Sequence, residues 1–283
     1  MNIHMLSLSS EKWKLLNGPY GNGEHIPELI TSLQQNYDQD QANELYYEEL
    51  YHQNTIYPCT YAAVPYLVQI ALDTFDLHSQ LDIYIVCGMF EAWNELPVNE
   101  HSHEPPQKWQ DYFVNLDTDE LNDVYQSYQQ SIHQLPFVQD HILTQIDQVE
   151  DNQKMYLLAA IAALQSYRHW AKCFLMYSDG EEYIGVCSYC DQDLYIWTDQ
   201  NSELTEWRAY ATDPVMNIEA DYQKIRPDAD YQNQVDLKRL YTYMTLLQMT
   251  SRVAQLAYLG GTVKCPHCSD DISIREALLK STF

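Results

Sequence analysis

Positive charge is what this chain has least of. Its 283 residues carry 15 Lys and Arg against 41 Asp and Glu, a formal balance of -26. Such a surface repels nucleic acid and anionic lipid, and it draws basic partners at rates that fall with salt. Solubility alone is served by the same surplus. Glycine is scarce too, with eight copies, three of which (Gly18, Gly21, Gly23) fall in one early loop, GPYGNG. That loop precedes an expected helix, where backbone amides can cradle an anion, but it matches neither G-x-G-x-x-G nor the phosphate loop with its Lys-Ser/Thr ending. A lead-in turn is the simpler reading. G-x-S-x-G, H-E-x-x-H and a glycine-flanked cysteine of protease type are all missing, so nothing makes a positive case for an enzyme. The longest strongly apolar run, residues 157–164, is far too short to span a bilayer. Residues 1–16 hold no uninterrupted apolar stretch and no small-residue cleavage signal. The expectation is a soluble, cytoplasmic protein with neither a nucleic-acid nor a membrane partner.

Against these absences stand two Cys-x-x-Cys pairs, Cys187/Cys190 and Cys265/Cys268, with 74 residues between them. In such a hook both sulfurs of one tight turn reach the same ion, and two hooks supply the tetrahedral set of a structural Zn2+. Four cysteine ligands leave no open position, so the site would hold a domain together without running chemistry. Two unrelated pairs, or a redox-active one, are the alternatives. Thioredoxin-like chemistry needs its CxxC at a helix N-terminus within a βαβ unit. Here β-branched and aromatic runs flank both hooks, residues 183–187 and 193–197 around the first and 262–265 and 271–274 around the second. Asp191 and Ser269 stand where glycine often relieves such a turn. His267, inside the second hook, reads as a turn residue and not a ligand. Cys59, Cys87 and Cys173 read as small buried apolar residues.

Helical periodicity dominates the first part of the chain. It predicts helices over 26–36, 41–53, 58–72, 77–95, 118–134, 137–149 and 153–174. The segment HSHEPPQ, 101–107, breaks the pattern and reads as a loop; its His101, His103 and Glu104 fit an exposed polar turn better than a metal site. An apolar-Pro-x-apolar pattern recurs at Pro27, Pro65 and Pro136, at intervals suiting paired-helix repeats, with proline expected in the first helical turn. Between the two hooks an irregular stretch with Pro214 and Pro227 leads into a long expected helix over 231–259, closed by Gly260-Gly261.

Twenty-four tyrosines offer large contact area at low entropy cost, or simply line helix packing. Glu44, Tyr47, Glu48, Glu49 and Tyr51 cluster on one expected helix, and Asp117, Asp119, Glu120 and Asp123 form a second acidic group. Asp179, Glu181 and Glu182 make a third. Each group alone reads as a solvated face. Together with the net charge they suit docking of a basic protein, with carboxylates steering encounter and aromatic anchors supplying affinity.

The stretch from His52 to Leu67 (HQNTIYPCTYAAVPYL), with Tyr20-Gly21 and Ile26-Pro27-Glu28-Leu29 upstream, resembles a signature of bacterial HEAT-repeat-like proteins, in which a His-Gln-Gly-Thr-x-Tyr turn leads into an Ala-x-x-Pro-x-Leu helix. Asn54 stands where that family has glycine, and asparagine tolerates the same left-handed backbone. The resemblance covers residues 13–72 well, the remaining helices loosely, and the cysteine hooks not at all. It implies an α-solenoid binding scaffold, of a kind some of whose members serve as immunity proteins against bacterial toxins. It brings no catalytic residues. His52, Gln53, Thr55 and Tyr57 then fix an inter-helix turn.

The combined expectation is a mainly α protein. A HEAT-like layer of helix pairs spans 1–174, and a zinc-ribbon-like β module with a helical insertion spans 175–283. Its expected function is occlusion of a basic toxin, such as a nuclease, without turnover. The alternatives are an enzyme using His101, His103 or His169 in a pocket between the two parts, and a regulatory scaffold subunit.

Overall fold

The computed structural model describes residues 4–96, 104–198, 206–216 and 221–281. The chain is mainly helical with small antiparallel sheets, and it divides into two compact units, Met1–Gln145 and Ile146–Phe283. The helical segments between 151 and 176, grouped with the first part by periodicity, therefore belong to the second unit. Among the described residues no helix is long and apolar enough to cross a membrane.

In the first unit a 3-10 turn, Glu11–Leu15, leads through the glycine loop into α1 (Ile26–Gln35). The Gly18 amide donates to the Gly21 carbonyl and the Gly23 amide to that of Leu16, both at 2.8 Å, so these donors serve the turn itself. Helix α2 (Gln39–Asn43) starts where the Asp38 carboxylate accepts the Gln41 amide, then widens into a π-helical segment, Glu44–Leu50. The expected helix ran on to residue 53. Instead the chain turns at Tyr51 into a hairpin of β1 (Tyr51–His52) and β2 (Thr55–Ile56). Its turn residues Gln53 and Asn54 have φ of 46° and 61°, the left-handed pair that a two-residue hairpin turn demands. Neighbouring side chains lock this corner. Tyr20 Oη lies 2.9 Å from His52 Nδ1, and Thr60 Oγ1 accepts the Tyr57 amide and donates to the Leu50 carbonyl.

Helix α3 (Pro58–Asp73) follows, opened by a proline whose missing N–H would have no partner there anyway. It is buried on nearly every side and packs against α1, α4 (Leu77–Trp93), α6 (Thr118–Ile132) and α7 (Leu135–Thr144). The short α5 (Gln107–Tyr112) sends Trp109 into an aromatic cluster with Tyr61, Phe113, Tyr125 and Tyr128. Pro27 and Pro136 do sit in first helical turns. Pro65 does not: α3 has already begun at Pro58, so this ring lies inside the helix and removes one backbone hydrogen bond there.

In the second unit α8 (Asp151–Leu164) and α9 (Arg168–Met176) replace the single helix expected over 153–174. The chain leaves α8 at Ser166, φ 67°, where the Ser166 amide donates to Ala163 and the Tyr167 amide to Ala162, the two bonds of a Schellman cap. The expected helix over 231–259 is likewise broken, into α10 (Val235–Leu246), α11 (Thr250–Val253) and α12 (Gln255–Leu259). Its break is a second Schellman cap, with Gln248 at φ 58° and the Met249 amide donating to Met244. Strands β3 (Glu182–Val186), β4 (Asp193–Thr198), β5 (Trp207–Tyr210) and β6 (Tyr222–Lys224) form an antiparallel sheet in that order, so the stretch read as irregular contributes two strands. A second hairpin, β7 (Thr262–Lys264) and β8 (Asp271–Ser273), runs into α13 (Ile274–Lys280). Reciprocal backbone bonds between Arg226 and Thr262, at 2.8 and 3.0 Å, join the two sheets. Helix α13 covers β3 so closely that a Cβ on Gly185 would lie 3.1 Å from Ala277.

Candidate metal centre

The two hooks are built alike. Each lies between paired strands, β3 and β4 for the first and β7 and β8 for the second. In the first, the Asp191 amide donates to the Cys187 carbonyl and the Cys187 amide to Gln192; in the second, Ser269 donates to Cys265 and Cys265 to Asp270. Asp191 and Ser269, at φ 57° and 67°, take the left-handed position that lets each turn close behind its second cysteine. Glycine would fit there with less strain, but short polar side chains also enter this region.

Connections between the strands bring all four sulfurs within 4.8 Å of one another. Cys187 Sγ lies 3.9 Å from Cys268 Sγ, and Cys190 Sγ 3.8 Å from Cys265 Sγ, each pair reaching across from one hook to the other. A disulfide needs sulfurs about 2.05 Å apart, so these are separate thiols. Sulfurs bound tetrahedrally at about 2.3 Å from one ion would lie about 3.8 Å from each other, close to the spacing of these two pairs. The four cysteines can hold a metal ion with no position left over.

The surroundings of Cys187 suit thiolate. Burial would push the Cys187 thiol up, but backbone amides of Cys190 and Tyr189 point at its sulfur and bring it down to about 7. Cys268 moves the other way: the backbone amide of Asp270 favours its thiolate, but desolvation, the Asp270 carboxylate and hydrogen bonding with Cys265 and Cys190 outweigh it. Four thiols this close cannot all lose their protons unless a cation sits among them. Cys187 and Cys265 are buried while Cys190 and Cys268 are partly open. Lys280 at the end of α13 donates to the Cys187 carbonyl at 3.2 Å and pairs with Asp191, setting a positive charge beside the first hook. The ring of His267 is not in the sulfur group. Its Nε2 donates to the Asp193 carbonyl at 3.1 Å, tying the second hook to the strand that leaves the first. Sequence spacing singled out the four cysteines that the fold brings together, but nothing in it signalled the Lys280 and His267 clamps, which depend on tertiary folding.

Of the expected docking residues, Glu44, Tyr47 and Glu48 lie exposed on the π-helical segment, while Glu49 is half-buried. Burial raises the Glu49 carboxyl above its ordinary value; Glu44 and Glu48 add to this and His25 opposes it. Tyr51 donates to Asn54 within the hairpin. In the second acidic group Asp117 and Glu120 form the capping box of α6, and Glu120 also pairs with Lys12 at 2.7 Å, so both have structural work. Asp119 and Asp123 are exposed. Cys59, Cys87 and Cys173 are fully buried, and desolvation pushes each thiol far up, as expected of inert core residues. His169 Nε2 donates to the Leu278 carbonyl at 2.6 Å, a structural role. His101 and His103 lie outside the described residues. Comparison with protein-family models, with curated proteins and with solved structures finds no match.

Proposed function

We propose that the chain is a non-catalytic binding scaffold, an immunity-type protein that neutralises a basic bacterial toxin by covering its working surface. Zn2+ held by Cys187, Cys190, Cys265 and Cys268 staples the second unit. The first unit, read as a HEAT-like layer of helix pairs, presents the docking face in the cytoplasm. The observation that carries this reading is the segment Glu44–Leu50: an unusual π-helical stretch with Glu44, Tyr47 and Glu48 side by side and exposed, in a chain whose net charge is -26. π-Helical turns persist where function requires them. A tyrosine flanked by carboxylates combines an anchor with a steering field. The likeness of residues 52–67 to HEAT-like immunity proteins supplies the toxin as partner. A saturated four-thiol site also favours scaffold over enzyme, since it offers no place for substrate.

The tagged protein is to be purified from its own host at low and high salt. A basic chain should co-purify at equal stoichiometry and dissociate as salt rises. Tyr47→Ala should weaken that complex by about 2 kcal/mol, and Glu44→Gln with Glu48→Gln should slow association. A complex indifferent to salt and to all three substitutions would contradict the proposed face.

A further inference from the structure

Among the described residues, Arg252 is a cation with no ion-pair partner. Arg252, in α11, lines a pocket of about 460 Å³ in the second unit. Its Nη1 is buried and, among the described residues, has no hydrogen-bond acceptor. With 41 acidic residues available, an unanswered guanidinium is costly to retain without a purpose.

The pocket is constructed around this group. Gly180, at φ 61°, gives it space: a Cβ there would lie 1.8 Å from Nη1. One edge of the guanidinium is thus sealed, while Arg252 as a whole remains partly open on the pocket it lines. The other charged groups of the lining are Lys154, Asp151 and Asp179. Lys154 and Asp151 cancel one another through a 2.9 Å contact, and the Asp151 side chain is 94% exposed, directed to solvent. Asp179 is exposed as well. Further donors line the wall, the hydroxyls of Ser178 and Ser251 and the amide of Asn152, while the Gln248 amide donates to Asp147 at 2.7 Å. Helix α8 begins here, and no side chain caps its first amides.

We propose that this pocket binds the phosphate group of a small molecule, with Arg252 as the charged fork and the α8 N-terminus and serine hydroxyls as further donors. Guanidinium meets phosphate through parallel charge-assisted bonds, and a helix N-terminus favours the same charge. The volume leaves room for an organic group beyond the phosphate. None of the residues lining it belongs to the four-cysteine group or to the proposed docking residues.

The test is titration of the full-length, metal-loaded protein with inorganic phosphate at constant ionic strength, read by calorimetry and by thermal shift, with acetate as a second probe. Saturable binding of phosphate, stronger than that of acetate, is expected. Arg252→Gln should weaken it at least about tenfold. Gly180→Ala, which displaces the guanidinium, should do likewise, and Arg252→Lys should bind less well than the parent. Arg226→Gln, whose partner Asp271 lies elsewhere, should bind normally. Absence of saturation, equal binding of acetate and phosphate, or undiminished phosphate binding by a folded Arg252→Gln protein would overturn the proposal.

Discussion

The Asp236 carboxylate, near the start of α10, accepts the Trp170 indole of α9 at 2.7 Å and the Arg275 Nε of α13 at 2.8 and 3.1 Å. Desolvation alone would raise this acid, but its two donors prevail and hold it below the ordinary carboxylate value. A depressed folded-state pKa contributes stability above the unfolded carboxyl's pKa, about 3.9, and loses it as pH falls through the folded value. Asp236→Asn should therefore cost about 3 kcal/mol at neutral pH, because Arg275 is left without its counter-charge. It should also flatten the decline in stability below about pH 4. Urea unfolding of both proteins at neutral and acid pH measures the two effects, and an unchanged acid limb would show that the carboxylate is not the titrating group.

At the scale of elements, two helices end where no glycine announces it. Ser166 and Gln248 occupy the left-handed position of Schellman caps that glycine usually fills. Apolar periodicity runs through both points, so the sequence reads as one long helix in each place. Ser166→Gly should stabilise the protein by about 0.5–1 kcal/mol, since the strain of a left-handed side chain is relieved; Gln248→Gly should gain less, because it also loses the 2.7 Å bond from the Gln248 amide to Asp147. A fall in melting temperature for either would mean the native side chain makes an interaction that outweighs its backbone cost. The same economy of glycine marks the metal hooks at Asp191 and Ser269. There the cysteines themselves fixed the turn in the reading, because Cys-x-x-Cys spacing has one geometric meaning when strands flank it. Hairpin β1–β2 was hidden for another reason: Tyr51 and His52 continue the helical pattern of 41–50, and only Asn54 hints at the turn. Strands β5 and β6 are short, and their pairing with β4 is a tertiary event that local pattern does not encode.

For the whole molecule, the four cysteines join chain segments separated by 74 residues, so a shared ion would close a long loop and constrain everything inserted between the hooks. The proposed metal ligation would then add to the ion pairs found among the described residues of the second unit, such as Arg275 with Asp236 and Lys280 with Asp191. Replacing Cys187 and Cys190 by alanine should lower the melting temperature of that unit and leave the first unit's transition largely in place. The central claim is best tested by metal content joined to thiol reactivity, on protein purified without chelator. The account predicts one zinc per chain, with Cys187, Cys190, Cys265 and Cys268 protected from alkylation until a chelator removes the metal, and an early thermal transition appearing once it is gone. Metal-free protein whose four thiols react at once and whose melting is unaffected by chelator would contradict it.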